Sequence, residues 1–307
     1  MLIGGLELKN NLCLAPLAGI TTLPVREFFS ELGASLTHTE MISCAGLTRD
    51  NAKTLEMLKI SKSEAPLVVQ LFANDEKILT EGAEIVLKVC EKFSAFGINM
   101  ACPMPKITKN GSGAALLKKP ETAFNMVKNL KELKLPVWVK IRKLENEFDT
   151  LNFIEKLINA GADNICIHGR TCSQRYEGFA DKNIVKVSAK NFPCFISASG
   201  DVKTVNDINE YLSYGCVSVM LARGAVANPF LFEEFNNIFK SYNEKIERLI
   251  NFAKNAEKIS CEHKALVLMK KFVPGFLRDT QGSAEKRNAA CTAVKLDEII
   301  EILRSVN

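Results

Sequence analysis

The chain alternates between short, almost wholly apolar runs and longer stretches in which apolar residues recur every three or four positions. The runs NLCLAPLAG, SLTHTEM, PLVVQLF, FGINMAC, PVWVKIR, DNICIHGR, PCFISASGD and VSVMLARG begin at Asn11, Ser35, Pro66, Phe96, Pro136, Asp163, Pro193 and Val217. Each reads as a β-strand with its exit loop, and successive starts lie 24 to 40 residues apart. Strands that lack a polar face are strands covered on both faces, as in a parallel sheet wrapped by helices. Helical periodicity over 77–93, 121–133, 151–160 and 205–214 supplies those helices. Eight such units within the first ~225 residues predict an α/β fold, a (β/α)8 TIM barrel spanning residues 1–228. A doubly wound sheet is the alternative, but it needs fewer strands, and its GxGxxG turn is missing.

Past Asn228-Pro229 the strand pattern stops. Residues 229–307 read as several helices, with KALVLMKKFV carrying apolar positions at helical spacing. No low-complexity linker separates the two parts, which predicts a C-terminal all-helical domain packed directly on the barrel.

Composition narrows the class without naming a chemistry. Of 307 residues, 47% are hydrophobic and 24% charged, ordinary for a globular chain with a full core. No apolar run approaches the roughly 20 residues needed to cross a bilayer. The opening MLIGGLELKN lacks a basic stretch followed by a long apolar one, so a cytoplasmic protein is expected. Ten cysteines are scattered, none in a CxxC pair, and the three histidines lie far apart, which predicts reduced thiols and no metal site.

In a TIM barrel, chemistry sits where strands end and loops begin. Those positions hold Pro16, Leu17 and Ala18 after the first strand, Gln70 in the third, and Asn99 and Cys102 after the fourth. The fifth supplies Lys140 and Arg142, and the sixth His168 and Arg170. Ser199, Gly200 and Asp201 follow the seventh, and Ala222, Arg223 and Gly224 the eighth. Small residues at the last two strand ends let backbone N–H groups approach an anion, to which Arg223 adds charge. A lysine aimed into a barrel mouth needs an anionic partner. Either a reduced flavin, negative near N1 and O2, or a barrel carboxylate would serve Lys140. His168 fits a catalytic base and a hydrogen-bonded core histidine equally.

Seven motifs in order resemble the tRNA-dihydrouridine synthases, and in general style their bacterial B-type branch. They are TEMIS (39–43), VVQLF (68–72), INMACPMPKI (98–107), VWVKIR (137–142), IHGRT (167–171), SGDV (199–202) and MLARG (220–224), joined in the tail by MKKF (269–272) and GSAEKR (282–287). The resemblance implies a barrel carrying FMN, reduced by NADPH, and a helical tRNA-binding domain. It implies that Pro16, Leu17 and Ala18 line the flavin through their backbone, and that Gln70, Lys140 and His168 hold its ring. Ser199, Gly200, Asp201, Ala222, Arg223 and Gly224 would surround its phosphate. Cys102 would be the general acid that protonates C5 of uracil, with Asn99 orienting the base. Two positions depart from the family: its glycine before the CP pair is Ala101 here, and its asparagine before GD is Ser199.

Charge is placed as an RNA substrate requires. The net charge is only +5, but Lys106, Lys109, Lys118 and Lys119 follow Cys102 without an acidic residue among them. Arg170 and Arg175 follow the sixth strand, and Lys270, Lys271, Lys286 and Arg287 lie in the tail. Tyr176 and Phe179 sit among these charges and fit either loop packing or base stacking. Two rivals share the pattern in part: an FMN-dependent reductase of a small pyrimidine or enone, and a noncatalytic tRNA-binding factor on the same scaffold.

Overall fold

The computed structural model describes residues 1–90, 92–278 and 280–306. Eight parallel strands form the barrel: β1 (Leu12–Leu14), β2 (Thr37–His38), β3 (Leu67–Phe72), β4 (Ala95–Met100), β5 (Val137–Arg142), β6 (Asn164–His168), β7 (Ile196–Ser199) and β8 (Ser218–Leu221). Each pairs with its sequence neighbour from β2 round to β8, and β8 pairs with β1. The ring closes where Ser35 N–H donates to Leu12 O (3.0 Å) and Leu14 N–H to Leu36 O (2.8 Å). Helices such as Glu76–Val89, Pro120–Glu132, Glu147–Asn159 and Val205–Ser213 wrap the outside. The first of these ends at Val89 rather than at 93, with Cys90 as its cap; Glu91 lies outside the described residues.

Alternation along each strand divides the core in two. Val137, Val139 and Ile141 of β5 belong to the large cluster between strands and helices, whereas Trp138 belongs to the smaller cluster within the barrel, beside Cys13, Val68, Cys166 and Met220. The same period of two places polar residues at inward positions toward the strand ends: Gln70, Asn99, Lys140, Arg142, His168 and Ser199. The strands read as unbroken apolar runs because their outward face is buried too.

Two local features differ from the expected pattern. The second strand covers only Thr37–His38, and a separate pair, Ile42–Ser43, lies against the end of β3. Between them the Thr39 hydroxyl accepts the Gln70 N–H (3.0 Å) and donates to Glu40 O (2.8 Å), so a side chain interrupts the ladder. At the other end of the barrel, Leu2–Ile3 and Leu6–Glu7 form a hairpin that was not expected, and Trp138 Nε1–H donates to Gly4 O at 3.0 Å.

Beyond β8 the described chain is helical, with Tyr242–Ile259, Glu262–Phe276, Ser283–Thr292 and Leu296–Arg304 as its main helices. Aromatic side chains weld it to the Leu23–Glu31 helix of the barrel. Phe28 stacks on Phe252 at 4.3 Å, and Phe29 meets Phe232 and Phe272 at 5.3 and 6.0 Å. Among the described residues no helix is long and apolar enough to cross a membrane.

Candidate active site

Cys102 follows β4, half-buried, on a short loop whose shape is fixed by two side chains. Asn99 Oδ1 accepts the N–H groups of Ala101 (3.1 Å) and Cys102 (3.0 Å), while its Nδ2 donates to Gln70 Oε1 (2.9 Å). Arg142 holds the loop from the other side. Buried at the end of β5, it donates from Nε to Ala101 O (2.7 Å) and from Nη1 to Thr171 O (2.9 Å) and Arg175 O (2.7 Å). One guanidinium therefore joins the loops after β4 and β6. From behind, the Gly113–Lys118 turn presses on Cys102, with Ala114 N–H donating to Cys102 O at 3.0 Å. Gly113 adopts φ +62°, and a Cβ there would lie 2.8 Å from that carbonyl. Burial pushes the Cys102 thiol above its ordinary pKa, opposed in smaller measure by a Met104 backbone hydrogen bond and by Arg142. The raised pKa favours the neutral thiol at pH 7, the form able to give up a proton, over the nucleophilic thiolate.

The Ala101 departure is absorbed without strain, since this residue lies outside the positive-φ region that favours glycine. The Ser199 departure has a use: its hydroxyl accepts from Lys140 Nζ at 3.4 Å. Among the described residues no carboxylate pairs with Lys140, so the barrel salt bridge is absent. Lys140 lines a small interior cavity with Gln70, His38, Trp138 and Cys166, and burial lowers its pKa, with Arg142 adding to the effect. A half-buried lysine with no carboxylate beside it would be stabilised in its charged form by an anionic group at this end of the barrel.

His168 is neutral for a related reason. Its Nε2 accepts from Arg170 Nη1 (3.2 Å), and burial, followed by Lys140, Arg142, Arg170 and Arg223, drives its pKa down to about 2. A ring that cannot take a proton at working pH is a hydrogen-bond donor through Nδ1, not a general base.

Arg170, expected to meet RNA, is turned inward in this structure. It is buried, with its fork on Glu177 O (3.1 Å), Gly178 O (2.6 Å) and Asp201 Oδ2 (2.7 Å). Asp201 also receives the Ala180 N–H at 2.7 Å; burial raises its pKa, but that bond and Arg170 outweigh it and keep the carboxyl below its usual range. Arg170 and Asp201 thus peg the loop after β6. Arg223 remains largely exposed, 3.9 Å from Asp201 and 4.7 Å over the Tyr176 ring, which Arg142 faces at 5.4 Å. Gly224 is required by packing alone, because a Cβ there would fall 2.0 Å from Val202 O.

The remaining basic residues divide by exposure. Lys106, Lys109, Arg175 and Lys271 are exposed; Lys270, Lys286 and Arg287 are half-buried, Lys286 donating to Ser305 O and Arg287 to Ser283 O. Pro16 and Leu17 are half-buried and Ala18 exposed on the turn after β1. Phe179 is 89% exposed. Sequence reasoning gave Arg142 no role, although the inward alternation of Trp138, Lys140 and Arg142 carried the signal. Glu40, whose carboxylate accepts the Gly19 N–H, carried none.

The family model described as Dihydrouridine synthase (Dus) matches residues 13–288. A Treponema pallidum (strain Nichols) protein named "Probable tRNA-dihydrouridine synthase" is 34% identical over 247 residues, which cover 76% of this chain and 72% of that protein. The "tRNA-dihydrouridine synthase B" of Pasteurella multocida (strain Pm70) is 28% identical over 302 residues, covering 94% and 90%. The crystal structure described as TcOYE with pHBA shares the fold, with TM-score 0.59 and 11% identity over 76% of this chain and 91% of that one.

Proposed function

The chain belongs to the dihydrouridine synthase family, and on that premise we propose that it reduces the C5–C6 double bond of uridines in tRNA, with FMN as bound carrier, NADPH as reductant and Cys102 as proton donor. The observation that carries this reading is the pairing, at one barrel mouth, of a half-buried lysine that has no carboxylate partner with a tethered neutral thiol.

The residues fit the cofactor. Lys140, Gln70 and His168 offer an ammonium, an amide and a ring N–H, a donor set suited to the electron-rich edge of a flavin ring. Pro16, Leu17 and Ala18 would line the ring through their backbone. Ser199, Gly200, Asp201, Ala222, Arg223 and Gly224 would enclose the phosphate end, with the largely exposed Arg223 supplying charge. FMN, when bound, supplies the hydride that reaches C6 of uracil. Cys102 then gives its proton to C5, and the carbanionic charge that develops beside the C4 carbonyl is quenched. Asn99 holds the Cys102 loop through its side-chain oxygen and is itself held by Gln70 through its amide N–H, a positioning task alongside the base contact expected of it.

A uridine inside folded RNA reaches such a mouth only after leaving its stack. Lys106, Lys109 and Arg175 around the mouth, and Lys270, Lys271, Lys286 and Arg287 on the helical side, would meet the phosphates. Residues 229–307 would then form the tRNA-binding domain; Asn307 lies outside the described residues. The cytoplasm, where tRNA is modified, is the matching compartment.

The test is an anaerobic visible spectrum. Flavin bands that bleach with NADPH and return with unmodified tRNA, but not with free uridine, are expected. Return with a small pyrimidine alone would establish the small-molecule reductase instead. A chain that binds tRNA but takes up no FMN would be the noncatalytic factor.

A further inference from the structure

We propose that Lys271 is a positioning residue for the active site, clamping the loop after β1, so that RNA docking on the helical region is felt where the cofactor is held. The inference rests on the functional reading above and deepens it.

Lys271 lies in the Glu262–Phe276 helix, yet its Nζ donates to Gly19 O, in the barrel loop, at 2.6 Å. The N–H of the same glycine donates to the carboxylate of Glu40, which is buried just past β2. Both polar backbone atoms of Gly19 are thus gripped by charged side chains, one from the barrel and one from the helical region. Charge-assisted bonds of this kind are about twice as strong as neutral ones. Gly19 has φ +67°, so the chain reverses here in a conformation that other residues rarely adopt.

The turn is rigid up to this point. Ile20 and Thr21 N–H both donate to Leu17 O at 3.0 Å, and Thr21 Oγ1 accepts the Leu17 N–H at 3.1 Å. Pro16, Leu17 and Ala18, assigned to the flavin, immediately precede the gripped glycine. What fixes Gly19 therefore fixes them.

Lysine suits a coupling role. An ammonium has three donors; one goes to Gly19, and among the described residues the two others, on an exposed side chain, are left to take a phosphate. Lys270 projects from the helix about 100° away. Among the described residues it makes no hydrogen bond to the barrel, which leaves it the simple phosphate contact of the two. By linkage, whatever RNA does to the clamp the cofactor does in return.

The experiment compares Lys271→Met, Lys271→Arg and Lys270→Met in the full chain. Hydrogen exchange of the 17–21 segment is measured without cofactor, and FMN affinity and tRNA affinity by titration. Lys271→Met should speed exchange and weaken FMN by about fivefold, the loss of one charged hydrogen bond, and weaken tRNA as well. Lys271→Arg should restore exchange and FMN affinity, and Lys270→Met should weaken tRNA alone. If Lys271→Met leaves exchange and FMN affinity at wild-type values, Lys271 is a plain phosphate contact and the proposal fails. A wild-type chain that takes up no FMN overturns the functional reading, and the exchange rates then judge the clamp by themselves.

Discussion

At the scale of single residues, the site is defined by protonation states that its neighbours impose. Cys102 keeps its proton because burial raises its pKa more than Arg142 lowers it. Cys102→Ala should leave NADPH reduction of the flavin near the wild-type rate and slow uridine reduction by about 10²–10⁴-fold, as removal of a general acid does. Anaerobic stopped-flow separates the two steps; equal loss of both would make Cys102 structural. On the proposed role of Cys102, whose pKa is raised, the uridine step should stay flat through pH 8 and fall only above the ordinary thiol range. Arg142 acts through the carbonyls it holds. Arg142→Lys keeps the charge but cannot span Ala101, Thr171 and Arg175, so it should lower the uridine rate ten- to a hundredfold with little change in FMN affinity.

At the scale of elements, three loops from different strands are locked together before any substrate arrives. The Asn99 amide shapes the loop after β4, Arg142 ties it to the loop after β6, and Arg170 with Asp201 ties that loop to the end of β7. Such preorganisation holds Cys102 in one place without reordering. The tightest point is the Gly113–Lys118 turn behind Cys102. Gly113→Ala adds a methyl 2.8 Å from both Cys102 O and Ile107 Cγ2, in a backbone region hostile to it. A loss of about 1–3 kcal/mol in urea denaturation is expected, with a slower uridine step and unchanged FMN binding. Wild-type stability in this variant would mean that the turn yields more freely than its contacts indicate.

At the scale of the whole molecule, two buried neutral histidines make stability depend on pH. His38 donates from Nδ1 to Leu14 O and is pushed down to about 4, first by burial; His168 is pushed down to about 2. In the unfolded chain both take up protons near 6.5. Between pH 6.5 and 4 the unfolded state therefore binds more protons, and stability falls as pH falls, by about 1.4 kcal/mol per unit for each histidine; above 6.5 they add no slope. Urea midpoints at pH 7.5, 6 and 5 measure this, and His38→Gln should remove about half of the slope. An unchanged midpoint at pH 5 would show that the rings are protonated inside the fold.

The sequence by itself determined the barrel, its strand count and the ends at which chemistry gathers, because these follow from local periodicity. An apolar run buried on both faces and an amphipathic stretch each declare their state within about ten residues. It also presented Cys102 and Lys140 at those ends. Only the tertiary structure decided which basic residues face solvent. Arg170 and Arg175 look alike in the chain, yet one is buried on Asp201 and the other is exposed, a difference set by groups that folding brings together from β6 and β7. The same holds for Arg142 between two loops, and for Lys271 reaching across 252 residues to Gly19. A cation's role depends on which carbonyl or carboxylate lies within 3 Å of it, and no pattern along the chain encodes that distance.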